Sequence, residues 1–280
     1  MNNGIEIIRK AYKEKYAIPQ FNINNLEWTK YILEESNLNM SPVILGVSES
    51  AVNYMGGYNV VYTLVNALIK DSSIKIPVIL HLDHGSSFES CKKAIDSGFT
   101  SVMIDLSFKS IEDNIYETKR VKEYAKKFNV SVESEIGYIT KKSNKNNISY
   151  ASLTDCKRMF DETKINVLSP AVGNVHGLYK GKAKLNFELI KEISSILNVP
   201  LALHGGTGIA DEDLQKVIKI GISKVNINTE LQYVWSKAVR KYLRKNINIY
   251  DPRKIIAAGE LEIKRVIKEK IILCGSNNKI

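Results

Sequence analysis

The chain has 280 residues, 44% hydrophobic and 25% charged, a balance that gives an ordinary globular protein with a large core and excludes a disordered or fibrous chain. Its opening residues lack an apolar signal core and no apolar run reaches the ~18 residues of a membrane span, which points to a cytoplasmic protein with no membrane partner. Cys91, Cys156 and Cys274 are an odd number, widely spaced and without a CxxC, so no disulfide framework is expected.

Short β-rich apolar runs alternate with helix-period segments along the whole chain. A strand is predicted over 16–22, then a helix over 26–38, a strand over 42–48 and a helix over 59–71. The alternation continues with a strand at 76–83, a helix at 87–96, a strand at 101–105, a helix at 110–128 and a strand at 131–137. A helix at 154–163, strand at 165–172, helix at 186–197, strand at 199–204, helix at 210–220, strand at 222–228 and helix at 229–246 complete the series. A further C-terminal helix is predicted near 258–272. Ser86 and Ser87 before Glu89, and Thr154 with Asp155, supply N-cap chemistry, and Pro42, Pro77 and Pro200 stand at strand starts.

Eight βα units in series predict one α/β domain over 1–280, a (β/α)8 TIM barrel with an extra C-terminal helix. An open doubly wound sheet would call for a GxGxxG or Walker loop after an early strand, and neither occurs. The polar, basic stretch 138–153 is long for a βα turn. A mobile active-site lid is its functional reading and a solvated insertion the plain one.

The net charge of +10 is concentrated near the C-terminus. Lys237, Arg240, Lys241, Arg244 and Lys245 fit the solvated face of an amphipathic helix, and the aromatic interleaving of an RNA platform is missing, so no nucleic-acid partner is expected.

In parallel barrels the loops after the strands carry the active site. The predicted strand ends hold Asn22 and Asn24, Ser48, Asp83 and His84, Asp105 and Ser107, Glu133 and Glu135, His176, His204, and Asn226. All four histidines of the chain lie in such segments. His84, His176 and His204 make a candidate three-imidazole site for Zn2+ with a position left open, whereas His81, inside an apolar strand, reads as a core or supporting residue. HGGTG (Gly205, Gly206, Thr207) and NINTE (Asn226, Ile227, Asn228, Thr229) follow the last two strands, where glycines and hydroxyls at helix starts suit phosphate.

Taken in order, YAIPQFNINNLEW, PVILGVSE, HLDHGSSFESCKKAIDSGFTSVMID, SVESEIG, GNVHGLYKG, LHGGTGI, KVNINTE and YDPRK resemble the class II, metal-dependent fructose-bisphosphate and tagatose-bisphosphate aldolases over nearly the whole chain. The resemblance implies zinc on His84, His176 and His204. Asp105 and Glu135 would serve an auxiliary position for a second divalent or a monovalent cation. It implies that Asp83 moves the proton of the substrate C4 hydroxyl. Gly177, Lys180, Gly205, Thr207, Asn226 and Thr229 would hold the dihydroxyacetone phosphate end, Asn24 and Ser48 would contact substrate, and Arg253 would meet the other phosphate from across a subunit boundary. Homodimers or homotetramers are the family's assemblies.

The implied reaction is reversible cleavage of fructose 1,6-bisphosphate to dihydroxyacetone phosphate and glyceraldehyde 3-phosphate, with the tagatose isomer as the alternative substrate. One departure stands out. The family's fifth loop usually carries a Gly-Gly pair and then an acidic pair whose glutamate exchanges a substrate carbon-bound proton, but ungapped counting from Glu135 puts Ser143 there, beside Lys141 and Lys142. Asp105 is likewise followed by Leu106, Ser107 and Phe108, where the family commonly has a small residue and Ser-His. A zinc- and phosphate-binding relative with impaired turnover is therefore the rival from another functional class, and a metal-dependent hydrolase the third reading.

Overall fold

The computed structural model describes residues 1–139, 149–177 and 181–280. Ser143, Lys141 and Lys142 of the fifth loop, and Lys180, lie outside the described residues.

Eight strands close into a parallel barrel in sequential order: β1 (Ile18–Asn22), β2 (Val43–Ser48), β3 (Val78–Gly85), β4 (Ser101–Ile104), β5 (Ser131–Ile136), β6 (Val167–Pro170), β7 (Leu201–Leu203) and β8 (Ile222–Ile227). β8 returns to pair with β1, with Ile18 opposite Lys224 and Phe21 opposite Ile227. The helices are α1 (Gly4–Glu14), α2 (Leu26–Leu38), α3 (Glu49–Met55), α4 (Tyr58–Asp71), α5 (Phe88–Asp96), α6 (Ile111–Lys126), α7 (Leu153–Thr163), α8 (Phe187–Leu197), α9 (Asp211–Ile220), α10 (Thr229–Lys245), α11 (Pro252–Ala257) and α12 (Glu260–Leu273). The TIM barrel and its C-terminal helix are thus as expected, with element ends shifted by a residue or two.

Three helices were not expected. α1 is capped by Asn3, whose side chain accepts the Ile5 amide at 2.7 Å. α3 begins directly at the end of β2, because Ser48 ends the strand and caps the helix through the Ala51 amide. α11 starts from Asp251 as N-cap with Pro252 in its first turn, where a missing amide costs nothing.

Strand alternation sorts the side chains into two sets. Leu80 and Leu82 of β3, Val132 of β5 and Val225 and Ile227 of β8 join the core shared by sheet and helices. The opposite face of each strand points into the barrel and changes character along its length. At the bottom Ile18, Ile44, Ile79, Val167 and Ala202 form a separate apolar layer, and Ile8 and Ala11 of α1 close it from below. One residue pair higher, Gln20, His81, Ser101, Glu133 and Lys224 are polar and buried. Burying Ile8 alone contributes about 1.5–3 kcal/mol, which explains why an amphipathic N-terminal helix plugs this end.

The basic residues of α10 behave as expected. Lys237, Arg240, Lys241, Arg244 and Lys245 are exposed, while Leu231 and Val239 are buried.

Candidate active site

The site begins with a local break in β3. Strict alternation would send Asp83 inward and His84 out among the helices. Instead His84 takes a left-handed conformation, φ 54°, and the β3–β4 register shifts between Leu82 and Gly85. A bulge of this kind re-aims a side chain at a barrel rim, so both consecutive residues reach the mouth.

His84, His176 and His204 each offer a ring nitrogen within 4.8 Å of the others. His84 Nε2 faces His204 Nδ1 at 3.0 Å. The remaining nitrogens of two of the rings are tied to carboxylates: His84 Nδ1 donates to Asp105 Oδ2 at 2.7 Å, and His204 Nε2 donates to Glu133 Oε1 at 2.8 Å. Carboxylates behind histidines fix tautomer and ring direction in metal sites, and here the opposite nitrogens turn toward one another at the mouth. Gly205 makes the approach possible. Its φ is 66°, and a Cβ there would collide with the Val175 carbonyl just before His176.

A second group, His84, Asp105 and Glu135, also meets the spacing for one cation. Glu135 is buried, its Oε1 accepts from Ser107 at 3.1 Å, and its Oε2 has no hydrogen-bond partner, 3.8 Å from His204 Nδ1. An orphaned buried carboxylate oxygen beside three imidazoles is a donor set that fits a divalent cation.

Electrostatics agree. Burial opposes charge on His84, but Asp83, the hydrogen bond to Asp105 and Glu135 outweigh it and hold its pKa up at about 9. Burial pushes His176 down to about 3, helped by the two neighbouring rings. Burial also pushes the Glu135 carboxyl well up, and Asp105 adds to this. A cation bound here would compete with protons for these same groups.

Asp83 is held by amides. Gln20 Nε2 and Asn226 Nδ2 donate to Oδ1 at 3.0 and 3.2 Å, and Asn22 Nδ2 donates to Oδ2 at 2.8 Å. Burial would raise its pKa, but the positive charges of His84 and Lys224 outweigh burial and leave it below the usual carboxylate range.

The mouth is a cavity of about 610 Å3, whose wall includes Ser48, Asp83, His84, Asp105, Tyr138, His176, Gly177, Gly205, Thr207, Asn226, Asn228 and Thr229. Thr229 opens α10, whose N-cap Asn228 makes no side-chain cap, and Thr207 Oγ1 accepts the Glu230 amide at 3.3 Å. Amides at a helix start beside glycines and hydroxyls suit an anion. Asn22, Ser48 and Asn228 continue into a neighbouring cavity of about 630 Å3 that also has Asn24, Trp28 and Trp235 on its wall.

Not every candidate arrives there. Ile227 turns its side chain into the core, leaving only its backbone for a ligand, and Gly206 is buried, donating its amide to the Asn226 carbonyl at 3.0 Å. Arg253, 89% exposed on α11 and paired with Asp251, lines neither cavity of this chain. Conversely, Gln20 and Lys224 were missed, and Glu133 was noted without a role. The signal was period-two spacing: Gln20 with Asn22, Glu133 with Glu135 and Lys224 with Asn226 share one face of their strands.

A model of the class-II fructose-bisphosphate aldolases matches residues 2–279. The chain belongs to this family. A fructose-bisphosphate aldolase of Geobacillus stearothermophilus is 48% identical over 277 residues, 98% of this chain and 96% of the relative. One of Staphylococcus aureus (strain Mu50) is 47% identical with coverages of 98% and 97%. Among solved structures, the YdjI aldolase of Escherichia coli K12 superposes with a TM-score of 0.85 at 30% identity, covering 98% of this chain and 97% of that one. The fructose-bisphosphate aldolase of Campylobacter jejuni, at 23% identity, TM-score 0.84 and coverages of 98% and 94%, shares the fold. This class-II aldolase is therefore a carbon–carbon lyase of a metal-dependent family. No described helix is long and apolar enough to cross a membrane.

Proposed function

We propose that this aldolase reversibly cleaves fructose 1,6-bisphosphate to dihydroxyacetone phosphate and glyceraldehyde 3-phosphate, in the cytoplasm and as a homo-oligomer. The observation that carries the reading is the convergence of His84 Nε2, His204 Nδ1 and a His176 nitrogen beside the amide-held carboxylate of Asp83. These residues would hold Zn2+, chosen because three imidazoles with an open position suit it, with Asp105 and Glu135 as the auxiliary position. When bound, the cation supplies a Lewis acid for the negative charge left beside the ketone as the carbon–carbon bond breaks.

The chain's own groups do the rest. Asp83, its carboxylate oriented by Gln20, Asn22 and Asn226, takes the proton of the C4 hydroxyl in cleavage and returns it in condensation. Gly177, Gly205, Thr207, Asn226 and the α10 start with Asn228 and Thr229 hold the phosphate next to the ketone. Ser48 and Asn24 contact the remainder of the sugar, and Arg253 of a second copy meets the far phosphate.

A coupled cleavage assay with fructose and tagatose bisphosphates, each with and without chelator, tests the reading. The expected result is chelator-sensitive cleavage with fructose preferred. Faster cleavage of the tagatose isomer would reassign the substrate, and binding without turnover would favour the impaired relative.

A further inference from the structure

Directly beneath the histidines lies a buried charged pair that the proposed chemistry does not use. Lys224 of β8 has no exposed surface, and its Nζ donates to Glu133 Oε2 at 2.6 Å. The other oxygen of Glu133 receives His204 Nε2–H at 2.8 Å. Lys224 Nζ also lies 3.4 Å from His81 Nε2, and His81 Nδ1 meets Ser101 Oγ at 2.7 Å. The chain Ser101, His81, Lys224, Glu133, His204 thus crosses the barrel interior from β4 to β7. Lys224 is absent from the wall of the mouth cavity, so it does not touch substrate.

Such a pair is costly to bury and is weak evidence for stability, because an apolar pair of similar size often serves as well. Its geometry offers another reason for its presence. His204 could present either nitrogen to the mouth, and an acceptor behind Nε2 leaves Nδ1 as the ligand.

We propose that Lys224 and Glu133 are positioning residues that fix the tautomer and ring direction of His204 and thereby set the metal affinity of the site. The inference rests on the reading of His84, His176 and His204 as metal ligands. Lys224 anchors one oxygen of Glu133 so that the other faces His204, and His81, fixed by Ser101, keeps the ammonium from swinging away. Without the lysine the Glu133 carboxylate has no buried cation, and His204 loses a fixed acceptor.

The test compares Zn2+ affinity, by chelator competition on metal-stripped full-length protein, among the unaltered chain, Lys224→Met and the double variant Lys224→Met with Glu133→Gln. Lys224→Met is expected to weaken Zn2+ binding by about 10–100-fold, the usual size of a supporting-partner loss. The double variant buries no charge, so its metal-free melting temperature should return to near that of the unaltered chain while its affinity stays low. Wild-type affinity in the double variant would overturn the proposal even if Lys224→Met failed to fold. Failure of the unaltered chain to bind Zn2+ would instead overturn the metal reading beneath it. An independent readout is the imidazole nitrogen spectrum of metal-free protein, tractable with four histidines. His204 should be the Nε2–H form in the unaltered chain and a mixture in the double variant; an Nδ1–H form in the unaltered chain would contradict the proposal.

Discussion

The two ends of this barrel are built from the same strands and have opposite chemistry. At the lower end β1, β2, β3, β6 and β7 contribute Ile18, Ile44, Ile79, Val167 and Ala202, sealed by Ile8 and Ala11 of α1. At the upper end the same strands and their loops contribute Asn22, Ser48, Asp83, His84, His176 and His204. Stability and chemistry are thereby separated along one axis: the apolar layer can be rigid because nothing must enter it, and the mouth can hold unpaired polar atoms because a ligand completes them. The polar layer of His81 and the Glu133–Lys224 ion pair joins the two.

Variants at the two ends should therefore fail in different ways. The largest effect is expected at the mouth: Asp83→Ala should lower kcat by about 10²–10⁴-fold, the usual size of a lost general base, while metal content measured by elemental analysis stays the same. Metal loss together with turnover would mean that Asp83 acts on the site's architecture instead. At the lower end Ile8→Ala should cost about 2–5 kcal/mol of unfolding free energy, read by denaturant melts, with kcat unchanged below the transition. A fall in kcat there would show that the two ends are coupled.

A smaller effect, away from both ends, comes from Lys122 on α6. Burial lowers its pKa to about 8 from the ordinary 10.5, and its Nζ donates to Asn166 Oδ1 at 2.6 Å. The unfolded chain keeps this proton up to a higher pH than the folded one, so between pH 8 and 10.5 the unfolded state binds more protons and stability rises with pH. Lys122→Gln should flatten that rise in chemical melts across the window; an unchanged slope would locate the effect elsewhere.

The same division governs what could be seen in the sequence. The barrel was legible because each βα unit carries an apolar run and a helix-period segment, several of them with a cap such as Ser87 or Ser110 between the two. The three converging histidines were legible because they sit at strand ends in specific motifs. α1 was not, because its value lies in plugging a layer that exists only once the barrel closes. α3 was hidden by the double duty of Ser48 as strand end and cap. The turn of His84 into the mouth depends on a bulge, and alternation alone would have turned that side chain away. Lys224 and Gln20 sit inside strands whose other residues read as core, and their roles come from partners on distant strands, Glu133 on β5 and Asp83 on β3. Ile227 shows the converse, since its motif lies at the mouth while its own side chain on β8 joins the core shared with the helices.

The most direct measurement is anomalous diffraction from crystals of the metal-stripped chain reloaded with one equivalent of Zn2+. One peak is expected at bonding distance, ~2.0–2.1 Å, from Nε2 of His84, Nδ1 of His204 and a ring nitrogen of His176. A zinc peak elsewhere, or three imidazoles that remain unligated at full loading, would contradict the account.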